Sequence, residues 1–234
     1  MSWINDLGKQ LSNAGPWQRP AAVTLTGRYC SLEPLDLSKQ ADELWSEMVR
    51  LDPEFNQWKY LAGMGPFENQ QAWVDSWIQF DATTDNQTFA VRVHETDKLT
   101  GQFSLLRLRP KHGSAEVGFV RFPPQMSRTT ASTEAQYLLA DYILGTLGYR
   151  RYEWKCDDQN QPSMLAAKRL GFTYEGTFRN DLVVHRRNRD TAWWSIIDSE
   201  WPILKAGYQR WLSPANFDEN GRQQTRLEEC CALP

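Results

Sequence analysis

The 234-residue chain is poor in several things, and each shortage closes off a class of protein. No apolar run approaches the roughly 20 residues that a bilayer-spanning helix needs, so no membrane partner is expected. The first fifteen residues, MSWINDLGKQLSNAG, have neither a basic lead nor a continuous apolar stretch, so no secretory signal is expected. Basic residues do not exceed acidic ones: the formal net charge is -3, which argues against a general nucleic-acid binder. The four cysteines (Cys30, Cys156, Cys230, Cys231) and three histidines (His94, His112, His185) show no metal-ligand spacing. Reduced thiols in a cytoplasmic protein without a metal are the expectation.

What the chain does have is apolar material. Hydrophobic residues make up 41% of it, enough for a full core without staples. Eleven tryptophans are spread along it. Most fit helix or strand periodicity and read as core. Trp45, Trp58, Trp73 and Trp77 gather in the first third, where rigid rings could wall an apolar substrate pocket.

Periodicity and turn residues divide the chain into an N-terminal appendage over 1–20, one α/β domain over 21–212 and a polar tail over 213–234 that is expected to be poorly ordered. Trp3, Ile4, Leu7 and Leu11 share a helical face that Gly15-Pro16 ends. A strand is expected over 23–35, helices over 38–50 and 67–81, and an antiparallel meander of three strands over 88–93, 99–108 and 115–122. A long helix over 131–147 is stopped by Gly148. A strand over 150–156, a helix over 161–170 ending at Gly171 and a strand over 173–178 follow. The polar run NDLVVHRRNRD reads as a loop, and Arg179 just before it could pair with Asp190 across the hairpin. The last strand is expected over 191–197, and a final helix, capped by Ser199, runs to Trp211.

The informative stretch is Gly113 to Gly176, which reads strand, turn, helix, strand, helix, strand. Helix N-termini expose unpaired N–H groups and partial positive charge, so they favour phosphate. Here the helix opens on Ser127-Arg128-Thr129-Thr130-Ala131-Ser132-Thr133, small, hydroxyl-rich and carrying one arginine. Serine and threonine are also ordinary caps, so these residues alone are compatible with a merely well-capped helix.

The ordered set Glu116-Val117-Gly118-Phe119, Thr133-Glu134-Ala135, Gly148-Tyr149-Arg150-Arg151, Asn160 to Ser163, Arg169-Leu170-Gly171-Phe172, Glu175-Gly176 and Arg179 resembles the GNAT superfamily of acyl-CoA-dependent N-acyltransferases. Within it, the similarity is to the Rim-type ribosomal-protein N-terminal acetyltransferases. The likeness is strongest over 115–180 and, by order of elements, spans about 23–200. It implies a mixed α/β fold with a splayed, mostly antiparallel sheet, and acetyl-CoA or another short acyl-CoA as co-substrate. The strand ending near Phe122 would pair its backbone with the pantetheine arm. The loop of Ser127, Arg128, Thr129, Thr130, Ala131 and Ser132 would hold the pyrophosphate, and Asn160 and Ser163 would meet the arm or its sulfur. The family loop reads Gln-x-x-Gly-x-Gly/Ala. This chain has Ser127, Thr130 and Ser132 there, and glycine's close approach to a phosphate is lost at the β-branched Thr130, so Arg128 and the hydroxyls are expected to compensate.

A thioester is attacked by a neutral amine, and amines with reference pKa values of about 8 to 10.4 are mostly protonated at neutral pH, so a base helps. Glu116, on the strand beside the thioester, is the first candidate; a salt-bridged strand carboxylate is its other reading. Glu175 and Asp157 are weaker candidates. Charge developing on the carbonyl oxygen would rest on a backbone N–H near residues 119–122. Many members protonate the leaving thiolate with a tyrosine on the helix that here begins at Asn160. No tyrosine lies between Asn160 and Gly171, which leaves Ser163 to bind the sulfur or position a water. The expected acceptor is a small-molecule or peptide amine, and a homodimer is left open. Two rival readings are a CoA-binding sensor or interaction protein of the same fold, and a nucleic-acid module built on the basic run His185 to Arg189.

Overall fold

A computed structural model of the chain describes residues 8–51, 58–61, 64–65, 67–82 and 86–232. One eight-stranded sheet organises them. In chain order the strands are β1 (Leu25–Thr26), β2 (Cys30–Pro34), β3 (Gln87–Val93), β4 (Lys98–Arg109), β5 (Ser114–Arg121), β6 (Arg151–Asp157), β7 (Thr173–Val184) and β8 (Arg187–Ile197). Their order across the sheet is β1-β2-β3-β4-β5-β6-β8-β7. Every pairing is antiparallel except β5 with β6. That single parallel junction requires a crossover, supplied by α3 (Thr130–Ala140) and a π-helical turn over Asp141–Thr146.

Helices cover both faces. On one, α1 (Leu37–Leu51) and α2 (Gln70–Asp81) close a core of Leu44, Met48, Trp58, Trp73, Trp77, Ala90 and Leu99. On the other, α3 and α5 (Trp201–Trp211) lie over Phe103, Val117, Tyr152, Trp154 and Trp194. The Asn69 side chain caps α2 by accepting the Ala72 N–H. Asn160 does the same for Ser163 at the start of α4 (Gln161–Arg169). Gly148 and Gly171 have positive φ (65° and 87°) where the chain leaves these helices, the left-handed stop the sequence leads one to expect.

The mixed α/β architecture matches the expected fold, with several local differences. No helix forms over residues 8–20; residues 1–7, with Trp3, Ile4 and Leu7, lie outside the described residues. Instead Trp17 is buried, its N–H donates to the Pro110 carbonyl at 2.9 Å, and its ring packs on Gly113. The single strand expected over 23–35 is two strands around a turn at Gly27–Tyr29, because the Glu134 carboxylate gathers the N–H groups of Arg28, Tyr29 and Cys30. The loop expected over 180–190 is a long hairpin: β7 runs to Val184, and His185 and Arg186 (φ 48° and 63°) form its two-residue turn. The hairpin's outer strand leaves Phe178, Leu182 and Val183 exposed, so burial imposes no alternation on the sequence. Asp190 accepts from the Asn180 N–H and from Asn188 rather than forming an ion pair with Arg179. Glu200, not Ser199, stands at the N-terminus of α5. The tail is ordered against α5: α6 (Leu227–Cys230) buries Leu227, Cys230 and Cys231, and Phe217 packs on Trp211. All four cysteines are free and buried.

Candidate active site

The parallel pairing of β5 and β6 runs from Ser114–Arg151 to Val117–Trp154 and stops there. Both strands continue, β5 to Arg121 and β6 to Asp157. From Gly118 onward β5 is therefore paired with β4 on one side and with no strand on the other. Such an edge offers backbone N–H and C=O groups to an extended ligand. α3 starts just beyond β5 and α4 just beyond β6, so two helix N-termini flank the same opening.

Two bulges shape the rim. Arg107 (φ 43°) marks a register shift in β4 and Phe119 (φ 49°) one in β5. Both residues hold the left-handed conformation that side chains avoid, as bulges that re-aim a strand beside a site often require. Directly opposed residues share a face of the sheet. The pairs Leu106–Glu116, Ser104–Gly118 and Gln102–Arg121 therefore put Glu116, Gly118 and Arg121 on one face, the face under α1 and α2.

Glu116 is buried, and its Oε2 accepts from Arg107 Nε at 2.6 Å and from Lys155 Nζ at 2.9 Å. Oε1 is turned toward Gly118, 3.5 Å from where a β-carbon would stand on that glycine. Lys155 also lies 3.1 Å from Glu153 Oε2 and 3.6 Å from the centre of the Trp193 ring. Glu153 in turn accepts from Arg109 and Arg151, and Arg151 grips Glu175 with both terminal nitrogens. Charges thus alternate across β4, β5, β6 and β7. Burial pushes the Glu153 carboxyl up, but hydrogen bonding to Arg151 and the nearby Lys155 outweigh it and hold the group below the usual range. The Arg151 hydrogen bond holds Glu175 down in the same way, against a smaller upward push from burial.

At the α3 start four hydroxyls bond back into the loop and helix. Ser127 Oγ donates to the Phe122 carbonyl, Thr129 Oγ1 to Met126, and Ser132 and Thr133 both to Thr129. Thr129 also accepts the Ser132 N–H as the helix cap. The hydroxyls of Ser127, Thr129, Ser132 and Thr133 therefore hold the loop's shape, which leaves that of Thr130 for the expected compensation. The exposed Arg128 (φ 64°), the Thr130 hydroxyl and the N–H groups of Thr130 and Ala131, which have no carbonyl four residues back within the helix, remain for an anion. A cleft of about 440 Å³ opens beside this helix start, and Arg28, His94 and Lys98 are among its lining. Phe122 is half-buried, its ring set edge-on against Phe103.

At the α4 start, Asn160 is occupied as a cap, and the Ser163 hydroxyl accepts the Trp154 Nε1–H at 3.0 Å. The Tyr60 hydroxyl reaches the same place from the α1–α2 connection and donates to the Gln159 carbonyl at 3.2 Å. Sequence reading looked for a tyrosine on α4 and missed this one, 99 residues away in sequence. It also missed Arg107, Lys155 and Arg121. The only local signal was the sight of charged residues inside otherwise apolar strand patterns. Of the four tryptophans assigned to a pocket wall, Trp58, Trp73 and Trp77 are buried in the core beneath α1 and α2, and the half-buried Trp45 packs 6.0 Å from Trp73. Among the described residues no cluster of His, Cys, Asp or Glu could hold a metal, and no helix is long and apolar enough to cross a membrane.

Comparison with known proteins agrees with this geometry. The Acetyltransferase (GNAT) domain family matches residues 31–173, more than half of the chain. A GCN5-related N-acetyltransferase from Brucella melitensis superposes with a TM-score of 0.89 at 42% identity, over 95% of this chain and 100% of that one. The N-acetyltransferase p20 of Bacillus licheniformis is 29% identical over 181 residues, 76% of this chain and 94% of that protein. RimJ of Mycobacterium smegmatis, solved with CoA-disulfide, shares the fold at a TM-score of 0.60 and 19% identity, over 74% of this chain and 84% of that one.

Proposed function

The chain belongs to the GNAT family of N-acetyltransferases, which use acetyl-CoA, and from that premise we propose that it moves an acetyl or short acyl group directly onto a primary amine of a small molecule or a protein N-terminus. The observation that carries this reading is the splay: β5 and β6 part after Val117 and Trp154, with Glu116 at the fork and two helix N-termini at the mouth.

Acetyl-CoA, when bound, supplies the thioester carbon that the amine attacks. The free edge of β5 from Gly118 to Phe122 would hold its pantetheine arm. Arg128 and the N–H groups of Thr130 and Ala131 would hold its pyrophosphate. Glu116 takes a proton from the incoming amine through Oε1, while Arg107 and Lys155 fix Oε2 and so fix the direction of Oε1. A backbone N–H of the bulge at residues 119–122 faces the negative charge that develops on the carbonyl oxygen. The Ser163 and Tyr60 hydroxyls, both at the start of α4, are the groups that return a proton to the departing sulfur: Ser163 accepts from Trp154 and keeps its own proton, and Tyr60 would release the Gln159 carbonyl to give its own.

The test is thiol release from acetyl-CoA across a panel of amines, with Glu116→Gln and Tyr60→Phe. Glu116→Gln should lower kcat by about 100-fold or more, and Tyr60→Phe should lower it by less. One observation favours a rival, a CoA-binding sensor: Glu116 is tied to two cations. CoA binding with no turnover on any amine would decide for that rival.

A further inference from the structure

Among the described residues, no carboxylate answers the interior charge of Arg121. Its side chain has no exposed surface, and its Nε and both terminal nitrogens make no hydrogen bond. It lies between two indoles, with its guanidinium carbon 4.3 Å from the centre of Trp77 and 5.6 Å from that of Trp58. Stacking on a ring face steadies a cation but leaves its in-plane N–H groups without acceptors. Gln102, opposite Arg121 on β4, is also fully buried, with both amide atoms unpartnered. The Trp77 Nε1–H is a further buried donor without a partner. Two other acceptors on this face of the sheet are engaged elsewhere: Ser104 Oγ is bonded to Thr88, and Glu116 Oε2 is held by Arg107 and Lys155.

Donors thus outnumber acceptors at this place, where the Gln102 amide oxygen is the one acceptor found without a partner among the described residues. Burial alone pulls the guanidinium well below its ordinary pKa, the direction expected of a cation stripped of water without a counter-ion. A lone buried charge is among the costliest arrangements a core can hold, and a planar fork of donors matches a carboxylate. The bulge at Phe119 sets this fork on the same face as Glu116, five residues along the strand, so the two Cα atoms are at most about 17 Å apart.

We propose that Arg121, with Gln102 and the Trp77 Nε1–H, binds a carboxylate group of the amine acceptor, so that the acceptor is an amine that also carries a carboxylate. This deepens the acyl-transfer reading above and rests on it. The flanking Trp58, Trp77, Phe80 and Phe119 make the part of the acceptor next to its carboxylate apolar. Phe80 and Phe119 are both half-buried with ring centres 4.6 Å apart, and Phe119 lies on β5 beyond the point where β6 parts from it.

The test uses an unreactive pair first. Thermal unfolding of the full chain is followed with 3-phenylpropionate and with 3-phenylpropanamide, without acetyl-CoA. The carboxylate should raise Tm saturably, the amide should not, and Arg121→Met should abolish the difference. In turnover, L-phenylalanine should be preferred to L-phenylalaninamide by at least about ten-fold in kcat/KM, and Arg121→Met should erase the preference. If Arg121→Met does not fold, the wild-type pair still decides, and Arg121→Lys, which keeps the charge and loses the fork, should weaken the carboxylate effect. Equal or absent shifts with the two ligands, or an undiminished preference in Arg121→Met, would overturn the proposal and leave Arg121 a structural cation. Failure of acyl transfer itself is seen separately, since the unfolding measurement needs no turnover.

Discussion

Replacing Glu134 by alanine removes the acceptor for three backbone N–H groups at once. The carboxylate is 4% exposed and takes Arg28 N–H at 2.8 Å on Oε1, and Tyr29 and Cys30 N–H at 2.5 and 2.9 Å on Oε2. A hydrogen bond to a charged group contributes about 1.5–3 kcal/mol, and a buried N–H left unpaired loses about 1–3. Three such bonds to one side chain are not additive, and part of the turn will relax toward water. A loss of about 3–5 kcal/mol is therefore expected for Glu134→Ala, and about 1–3 for Glu134→Gln, which keeps one carbonyl oxygen. At about 2–4 °C per kcal/mol for a chain of this size, alanine should lower Tm by roughly 10 °C. The cause can be isolated through Gly27. A β-carbon there would stand 2.4 Å from Glu134 Cδ, so Gly27→Ala must push the carboxylate off its three donors. The double variant Gly27→Ala/Glu134→Ala should then be markedly less destabilised than the sum of the singles in urea titrations. A Glu134→Ala loss below about 1 kcal/mol, or additivity of the two changes, would refute the claim that this carboxylate ties the β1–β2 turn to α3.

Two further outcomes follow from the packing. Glu153 and Glu175 are held below the ordinary carboxylate range in the folded chain, so the stability they contribute is present above about pH 4.5 and is lost as pH falls through their folded values; Tm against pH should fall steeply on that acid side, and less steeply in Glu153→Gln. A β-carbon on Gly207 would lie 2.5 Å from the Cys230 carbonyl oxygen, so Gly207→Ala should displace the C-terminal segment, cost about 1–3 kcal/mol in urea titration and speed alkylation of the Cys231 thiol, which burial pushes up to about 12 in the intact fold.

The β5–α3–β6–α4 order was legible because those elements bury one regular face: Ala135, Leu139 and Ile143 on the crossover helix, and Val117, Tyr152 and Trp154 on the strands beneath it. The β7–β8 hairpin was not, because an exposed edge strand places no demand on which residues alternate, and its turn uses His185 and Arg186 where glycine or asparagine would have announced it. The ordered tail hangs on anchors too sparse to form a period, Phe217, Leu227, Cys230 and Cys231. In the site, Glu116 was found through the resemblance, but its surroundings were invisible. Arg107 reaches it only through a bulge, and Lys155 only because Glu116 and Glu153 are partners across the parallel junction. Cross-strand neighbours depend on register, and register is a property of the sheet.

The bulge at Phe119 connects these observations. Glu116 and Arg121 are five residues apart, and in an unbroken strand an odd spacing points two side chains to opposite faces. One extra residue between Gly118 and Arg121, opposite Gln102 to Ser104, returns Arg121 to the face of Glu116. Without it, Arg121 would point toward α3 and the tryptophans beneath α2 would stack on nothing charged. The same irregularity leaves β5 with a kinked, unpaired edge just where β6 departs. A single inserted residue therefore places a buried carboxylate, an open backbone edge and a buried cation along one short length of strand. Its left-handed φ at a phenylalanine is the local strain that this re-aiming of the strand requires.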